Sequence, residues 1–157
     1  MLKNIELIIY DFDGVMTDNR ALIFEDGKEA VFVNRGDGLA VNIINGMGIA
    51  QIIVSTETNP VVMARAKKLN IPLMQSVADK KKVIERYLEK NKIRKENVIF
   101  VGNDINDKEA MEFVGIPVAP ADADIAIKKI AKIVLSAKGG CGVVRELLDK
   151  LKGITDE

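Results

Sequence analysis

Ile5-Glu6-Leu7-Ile8-Ile9-Tyr10-Asp11-Phe12-Asp13-Gly14 is the stretch of sequence that decides the fold. It opens with a short apolar run, which is typical of a buried strand, and ends in two aspartates and a glycine. Because Asp11 and Asp13 are two residues apart, both side chains project from the strand end while Phe12 points back. Gly14 permits the sharp turn that follows. The stretch therefore predicts a strand that carries a pair of carboxylates to the edge of a sheet.

Apolar strands and amphipathic helices alternate along the rest of the chain. Strands are predicted at residues 49–54, 71–74, 97–101, 115–119 and 132–135. Helices are predicted at residues 39–47, from Asn59-Pro60 onwards, at 79–90, at 107–114, and around residues 144–151. An Asp-Gly pair between the short runs 21–24 and 30–33 predicts a hairpin. This order predicts an α/β fold of three layers, with helices on both faces of a parallel sheet and ligands bound beyond the carboxyl ends of the strands.

Length and charge restrict the classes of protein to consider. A chain of 157 residues suits one domain, residues 1–157. It carries 23 Lys and Arg against 23 Asp and Glu, so bulk charge gives no reason to expect nucleic acid or an anionic membrane as a partner. No apolar run reaches the roughly 20 residues of a membrane helix. The early aspartates argue against a signal peptide, so a cytoplasmic location is expected.

The sequence contains no histidine. This absence excludes a Ser-His-Asp triad, a Cys-His pair and an HExxH zinc site. Cys141 is the single cysteine, which excludes an internal disulfide and a Cys-rich zinc cluster. An enzyme built from this chain must therefore work with carboxylates, hydroxyls, lysine and arginine, with a hard metal ion as an optional addition.

Two acidic clusters follow predicted strands. Asp11 and Asp13 repel each other unless a cation or a shared proton lies between them. A hard cation with oxygen ligands fits, and Mg²⁺ is the leading candidate because it leaves positions for phosphate. The Asn103-Asp104 pair, with Asp107 nearby, could complete the shell of such an ion. Asp11 and Asp13 could equally do no more than cap the turn that follows them. The second cluster could cap the helix at Asp107, although a cap would not require Asn103 and Asp104 as well.

Two further residues could bind phosphate at the same edge. Ser55 ends a predicted strand and can donate its hydroxyl, although serine at such a position is more often a simple turn residue. Lys80 lies near the start of a helix, where a cation is electrostatically disfavoured and gains from a carboxylate or phosphate partner. Because Lys81 and Lys82 follow it, the three lysines could instead form a solvated face.

The order of these groups resembles the haloacid dehalogenase (HAD) superfamily. Residues 10–18, Tyr-Asp-Phe-Asp-Gly-Val-Met-Thr-Asp, are similar to its first motif, Ser55 to its second and Lys80 to its third. Residues 102–107, Gly-Asn-Asp-Ile-Asn-Asp, resemble the fourth. The resemblance covers nearly the whole chain and implies the Rossmann-like HAD fold.

The resemblance also implies a mechanism and a metal. Asp11 would attack phosphorus to form an aspartyl-phosphate, and Asp13 would serve as acid and then base. Ser55 and Lys80 would bind the phosphoryl oxygens. Mg²⁺ would be held by Asp11, by the backbone carbonyl of Asp13 and by the fourth motif. Many family members carry Asp where this chain has Asn103, which leaves Asn103 and Asp104 as alternatives for the third ligand.

Chain length assigns the sequence to a branch of the family. Only the hairpin follows the first motif, and Ser55 and Lys80 are too close for an inserted domain, so the chain resembles members without a cap. In such relatives the hairpin helps to build a homotetramer, and a neighbouring subunit closes each active site. Residues 34–39 and 138–146 resemble phosphatases of 3-deoxy-2-ulosonic acid phosphates. That group includes 3-deoxy-D-manno-octulosonate (KDO) 8-phosphate phosphatases and nine-carbon sugar-acid phosphatases, and the HAD-like tail of some acylneuraminate cytidylyltransferases is similar.

The second motif favours the nine-carbon substrates. KDO enzymes typically have Thr-Gly-Arg there, whereas this chain has Ser55-Thr56-Glu57, which resembles enzymes for 2-keto-3-deoxynononate (KDN) or N-acylneuraminate 9-phosphate. In the enzymes for these nine-carbon acids, cationic side chains at positions matching Arg65 and Lys68 lie near the substrate carboxylate across a subunit boundary. Because Arg65 and Lys68 are three residues apart, they share one helix face. A solvated basic face including Lys67 is the competing explanation.

Two other classes of protein remain open. A non-catalytic oligomerisation module, as in the cytidylyltransferase tail, is favoured by Asn103 and opposed by the intact Asp11, Asp13, Ser55 and Lys80. A phosphoacceptor receiver domain also places acids on a parallel sheet. Its phosphorylated Asp belongs on a later strand, and here that strand ends in Ser55.

Overall fold

The computed structural model describes residues 2–153. Its strands are β1 Leu7–Tyr10, β2 Leu22–Ile23, β3 Glu29–Ala30, β4 Ala50–Val54, β5 Leu73–Met74, β6 Val98–Val101, β7 Ile116–Ala119 and β8 Ile133–Val134. Its helices are α1 Arg35–Gly46, α2 Pro60–Leu69, α3 Lys80–Asn91, α4 Lys108–Phe113, α5 Ile125–Ile130 and α6 Val143–Leu151. Two short 3-10 turns, Lys95–Asn97 and Ile105–Asp107, precede β6 and α4.

Six parallel strands form the central sheet in the order β5-β4-β1-β6-β7-β8. β1 lies in the middle of the sheet, and Tyr10 at its end is level with Ile53 of β4 and Val101 of β6. The residues that follow β4, β1 and β6 therefore leave the sheet side by side at one edge. This confirms the predicted parallel α/β fold.

Side chains of β1 alternate between two hydrophobic cores. Ile8 and Tyr10 pack on the side of α1, α2 and α6, whereas Leu7 and Ile9 pack on the side of α3, α4 and α5. All four are completely buried, as expected for a central strand covered on both faces. Burying both faces of this strand makes the position of the residues that follow it rigid.

The predicted hairpin is present as the antiparallel pair β2–β3, and it lies apart from the main sheet. Within residues 2–153, β2 and β3 are the only strands between β1 and α1, and only α2 and β5 lie between β4 and α3. The described chain thus has no inserted cap. It also contains no helix long and apolar enough to cross a membrane.

Capping residues account for most differences between predicted and observed helix bounds. α1 begins at Arg35, before the predicted start, because the Asn34 side chain accepts a hydrogen bond from the Asp37 N–H. α5 was not predicted: it has six residues, too few for a periodic apolar pattern, and Asp124 caps it. The predicted starts at Asn59 and Asp79 fall on the N-caps of α2 and α3.

Candidate active site

The buried centre of the site joins Lys80, Asp11 and Asp107. Lys80 Nζ lies 2.7 Å from Asp11 Oδ1 and 2.6 Å from Asp107 Oδ1, and all three side chains are buried. Burial opposes the charge on Lys80, but the two carboxylates outweigh it and raise the lysine pKa. Lys80 is thus a permanent cation at the first position of α3, where its charge depends on these partners.

Asp11 has its pKa raised to about 7, chiefly by burial and then by the nearby charge of Asp107, with Lys80 opposing both. Its backbone N–H donates to the carbonyl of Val101, which fixes the residue to the end of β6. With Lys80 already beside it, this buried carboxylate needs a further cation to be fully ionised near neutral pH.

Three oxygen-bearing groups face one another beside Asp11. The Asn103 side-chain amide faces Asp11 Oδ2 and the Asp13 backbone carbonyl. In the orientation that satisfies these two acceptors, its NH₂ group donates to them at 3.2 and 2.9 Å, whereas a cation between the three groups would require the amide oxygen to face inward. Both separations are close to the roughly 3.0 Å between adjacent ligands of an octahedral ion with 2.1 Å bonds.

The donor set suits a small, hard cation. It consists of a carboxylate, a backbone carbonyl and an amide. Within residues 2–153, no three acidic, His or Cys side chains are grouped so that they could hold a metal ion by themselves. Gly14 leaves room for the Asn103 amide, because an added Cβ at this position would lie 2.0 Å from the Asn103 amide nitrogen. Asp104, the alternative third ligand, bonds instead to the Ile105 N–H at 2.7 Å and caps the following turn.

Asp13 is held by the loop that follows β1. Thr17 Oγ1 lies 3.4 Å from Asp13 Oδ1 and accepts from the Gly14 N–H at 3.2 Å. The pKa of Asp13 is raised, first by partial burial and then by the carboxylate of Glu57, while the Thr17 hydroxyl opposes both. Asp13 therefore keeps its proton to a higher pH than an exposed aspartate does, which suits a proton donor.

A cavity of about 90 Å³ lies over these groups. Its lining residues all come from the loops after β1, β4 and β6: Asp11, Asp13, Asn19, Ser55, Thr56, Asn103, Asp104 and Asn106. Ser55 is buried and its Oγ accepts from the Glu57 N–H at 3.1 Å. The fold therefore brings residues of the first, second and fourth motifs together around one small space of phosphate size, and Lys80 of the third motif is buried against Asp11.

Comparison with known proteins agrees with this geometry. A model of haloacid dehalogenase-like hydrolases matches residues 47–147. The chain is 35% identical over 150 residues to 3-deoxy-D-manno-octulosonate 8-phosphate phosphatase KdsC of Escherichia coli (strain K12). The aligned region covers 95% of this chain and 80% of that protein. The chain belongs to the haloacid dehalogenase-like hydrolases.

Solved structures of related proteins share the fold of this HAD-like hydrolase. A HAD family hydrolase from Streptomyces avermitilis MA-4680 matches with a TM-score of 0.92 at 41% identity, covering 95% of this chain and 91% of that one. The cobalt-bound deoxy-D-mannose-octulosonate 8-phosphate phosphatase of Haemophilus influenzae matches with a TM-score of 0.92 at 27% identity, covering 98% and 90%. The family match and the related phosphatases together show that this HAD-like hydrolase is a phosphatase.

Three predicted substrate residues lie outside the cavity of this HAD-like hydrolase. Glu57 accepts hydrogen bonds from the N–H groups of Thr58 and Asn59, although its charge still acts on Asp13. Arg65 is half-buried and donates to the Asn34 carbonyl at 3.0 Å, and Lys68 is exposed. The resemblance implies that Arg65 and Lys68 act at a neighbouring subunit's site. Their contact with the substrate carboxylate therefore stays a prediction.

Sequence reasoning missed the function of Asp107 in the HAD-like site. It grouped Asp107 with the possible metal ligands or helix caps, but Asp107 contacts Lys80 and accepts from the N–H groups of Asn103 and Asp104. The only signal was a second acid three residues after Asp104. Asn19 and Asn106 also line the cavity without having been singled out.

Proposed function

We propose that this HAD phosphatase hydrolyses a phosphorylated 3-deoxy-2-ulosonic acid with the help of Mg²⁺. The observation that carries the proposal is the position of Asp11, with one carboxylate oxygen on Lys80 and the other facing Asn103 and the Asp13 carbonyl. This arrangement leaves a nucleophile, a buried cation and a set of oxygen ligands around a single phosphate-sized cavity.

The side chains of the site divide the chemistry among them. Asp11 attacks phosphorus and forms an aspartyl-phosphate as the bond from phosphorus to the sugar oxygen breaks. Asp13 donates its proton to the leaving oxygen, then takes a proton from the water that releases phosphate and frees Asp11. Ser55 and Lys80 hold the phosphoryl oxygens.

Asp11, the Asp13 carbonyl and Asn103 are the ligands we propose for Mg²⁺, with Asp104 left as the cap of its turn. When bound, the ion neutralises charge on the phosphoryl group. A cobalt-bound relative at 27% identity supports a divalent ion in this type of protein. Mg²⁺ itself is favoured because all the available donors are oxygens.

KDO 8-phosphate is the substrate that the relatives support. Curated proteins with that substrate in their names share 35% identity with 95% of this chain. Glu57 favours a second candidate, the 9-phosphate of KDN or of an N-acylneuraminate, because its second motif resembles enzymes for those acids. Thr56 lines the cavity, and the charge of Glu57 acts on Asp13 from outside it, which supports a role for both residues in recognising the sugar.

A homotetramer with active sites between subunits is part of the same proposal. The hairpin and the adjoining segments expose large apolar side chains, with Ile23 at 68% and Phe32 at 74% exposed. An apolar surface of this kind marks a protein contact more often than a solvated loop. Packing of neighbouring subunits through the hairpin would let Arg65 or Lys68 of one subunit approach the substrate carboxylate in another.

Phosphate release with Mg²⁺ should be measured side by side on KDO 8-phosphate, KDN 9-phosphate and N-acetylneuraminate 9-phosphate. We expect turnover of at least one, abolished by Asp11→Asn and retained by the matched variant Asp149→Asn on α6. A preference for KDO 8-phosphate would overturn the Glu57 argument. An inactive wild-type chain on all three substrates would favour the non-catalytic module.

A further inference from the structure

A carboxylate from α1 caps the N-terminus of α6. Asp37 Oδ1 accepts a hydrogen bond from the Arg145 N–H at 3.0 Å, although 108 positions separate the two residues. The N-cap residue of α6 is Gly142, which has no side chain to perform this function. Asp37 thus supplies from a distance the acceptor and the negative charge that a helix start requires.

The segment before α6, Gly139–Gly142, lies directly on the loop after β1. The Gly140 N–H donates to the Val15 carbonyl at 3.0 Å. An added Cβ at Gly139 would lie 2.3 Å from the Gly14 carbonyl oxygen, and one at Gly140 would lie 2.5 Å from the Asp18 nitrogen. Only glycine fits this close to the loop after β1. A shift of the segment Gly139–Gly142 therefore changes the space available to that loop.

That loop holds Asp13 in place through Thr17. The completely buried Thr17 hydroxyl accepts from the N–H groups of Gly14 and Asn19 and lies next to Asp13 Oδ1. The orientation of Asp13 therefore depends on the backbone of residues 14–19, which is the backbone that the glycine segment presses on.

Asp37 is an unfavourable residue to bury for packing alone. Its Oδ2 is buried without a hydrogen-bond partner, and so is Nε of the neighbouring Arg65. Burial raises the pKa of Asp37, although the N–H groups of Arg145 and Val144 and the charge of Arg65 oppose this. Residues retained at a cost in stability are expected where they serve a function.

We propose that Asp37 is a positioning residue for phosphate transfer: by capping α6 it holds Gly139–Gly142 against residues 14–18 and so orients Asp13 as acid and base. The proposal rests on the proposed function, because it assigns the effect to Asp13. Asp37 itself lies outside the residues that line the cavity.

Asp37→Ala tests the inference through kinetics and amide hydrogen exchange. We expect kcat to fall roughly 10–100-fold, as for other residues that orient a reacting group, with KM changed less than about twofold. Amides of residues 15–18 and of Gly140 should exchange faster. Asp37→Asn keeps an oxygen acceptor for the Arg145 N–H and should restore most of kcat.

Gln51→Leu is the matched control for lost stability. Gln51 is buried and bonds to Tyr10, Val41 and Asn45, but these contacts do not involve the loop after β1. This variant should be destabilised with kcat and loop exchange unchanged. If Asp37→Ala and Gln51→Leu behave alike, Asp37 is purely structural and the inference is overturned.

Gly139→Ala approaches the same contact from its other side. It should lower kcat and speed loop exchange while leaving the Asp37 cap intact, whereas Gly46→Ala, with nothing within 4 Å of the new methyl group, should change neither. Normal kcat in Gly139→Ala would overturn the inference. If the wild type releases no phosphate, the proposed function fails, and loop exchange alone decides whether Asp37 holds the segment.

Discussion

Lys80 Nζ lies 2.6 Å from Asp107 Oδ1, both side chains are buried, and Lys80 also contacts Asp11, which lines the phosphate-sized cavity. Asp107 also accepts hydrogen bonds from the N–H groups of Asn103 and Asp104. One carboxylate thereby contacts both the buried Lys80 cation and the loop that carries the proposed metal ligand. Because Asp107 does not line the cavity, we expect it to act on phosphate through these two neighbours.

Replacing Lys80 by Met should destabilise the fold as well as abolish activity. The variant leaves Asp11 and Asp107 as two buried carboxylates without their cation, which costs about 3–5 kcal/mol of unfolding free energy. Urea denaturation measures the loss. The exposed Lys82→Met should stay within about 0.5 kcal/mol of wild type, and an equal effect of both changes would show that the buried pair contributes nothing.

The metal-free protein should become more stable as the pH falls from about 8 towards 5. Burial raises the pKa of Asp11 to about 7 in the folded state, well above its ordinary value of 3.8 in an unfolded chain, so the folded state binds a proton that the unfolded state releases. The free-energy cost of burying the ionised Asp11 carboxylate is fully present above its folded-state pKa. This cost disappears as the pH falls towards the pKa of Asp11 in the unfolded chain. Its size is on the order of a few kcal/mol.

Denaturant midpoints in chelator, measured across this pH range for wild type and Asp11→Asn, test the expectation. The variant should be the more stable protein at pH 8, because it buries no charge at that position, and the difference should narrow as the pH falls. A difference that does not depend on pH would refute the assignment to Asp11.

Asn103→Asp should tighten Mg²⁺ binding. The change adds a negative charge beside Asp11 Oδ2 and the Asp13 carbonyl, and binding of oxygen-ligated cations strengthens with ligand charge, here by about tenfold. Calorimetric titration with Mg²⁺ measures it. Asn106→Asp adds the same charge to the same cavity without facing those two oxygens, so it should have a smaller effect. Equal tightening by both variants would indicate a general charge effect and not ligation by Asn103.

Ile23→Lys should break the proposed tetramer into smaller species. The side chain is 68% exposed in a single chain, so the change leaves the core intact while placing a charge in the apolar hairpin surface. Light scattering coupled to gel filtration gives the mass. Glu25→Lys, at an exposed polar position of the same hairpin, should retain the assembly. A wild-type chain that is already monomeric would contradict the proposed assembly directly.

Sequence patterns were sufficient to predict the parallel α/β fold, the hairpin and the four motif positions. Continuous apolar runs identify buried strands, and the carboxyl ends of parallel strands share one edge of the sheet, so Asp11, Ser55 and Asn103 could be placed together in advance. The short α5 was missed because six residues give little periodicity. The early start of α1 was missed because a single hydrogen bond to Asn34 decides it.

By itself, the sequence determined which groups are available for chemistry: the chain has no histidine and carries acids, a hydroxyl and a lysine at the predicted strand ends, in the motif order that resembles the HAD superfamily. Only the tertiary structure decided how those similar oxygens divide their work. Asn103 faces Asp11, Asp104 caps a turn, Asp107 pairs with Lys80, and Asp37 caps a helix 108 positions away. The reason is physical: a carboxylate's role depends on which donor lies within about 3 Å of it, and that distance is set by packing between elements far apart in the chain.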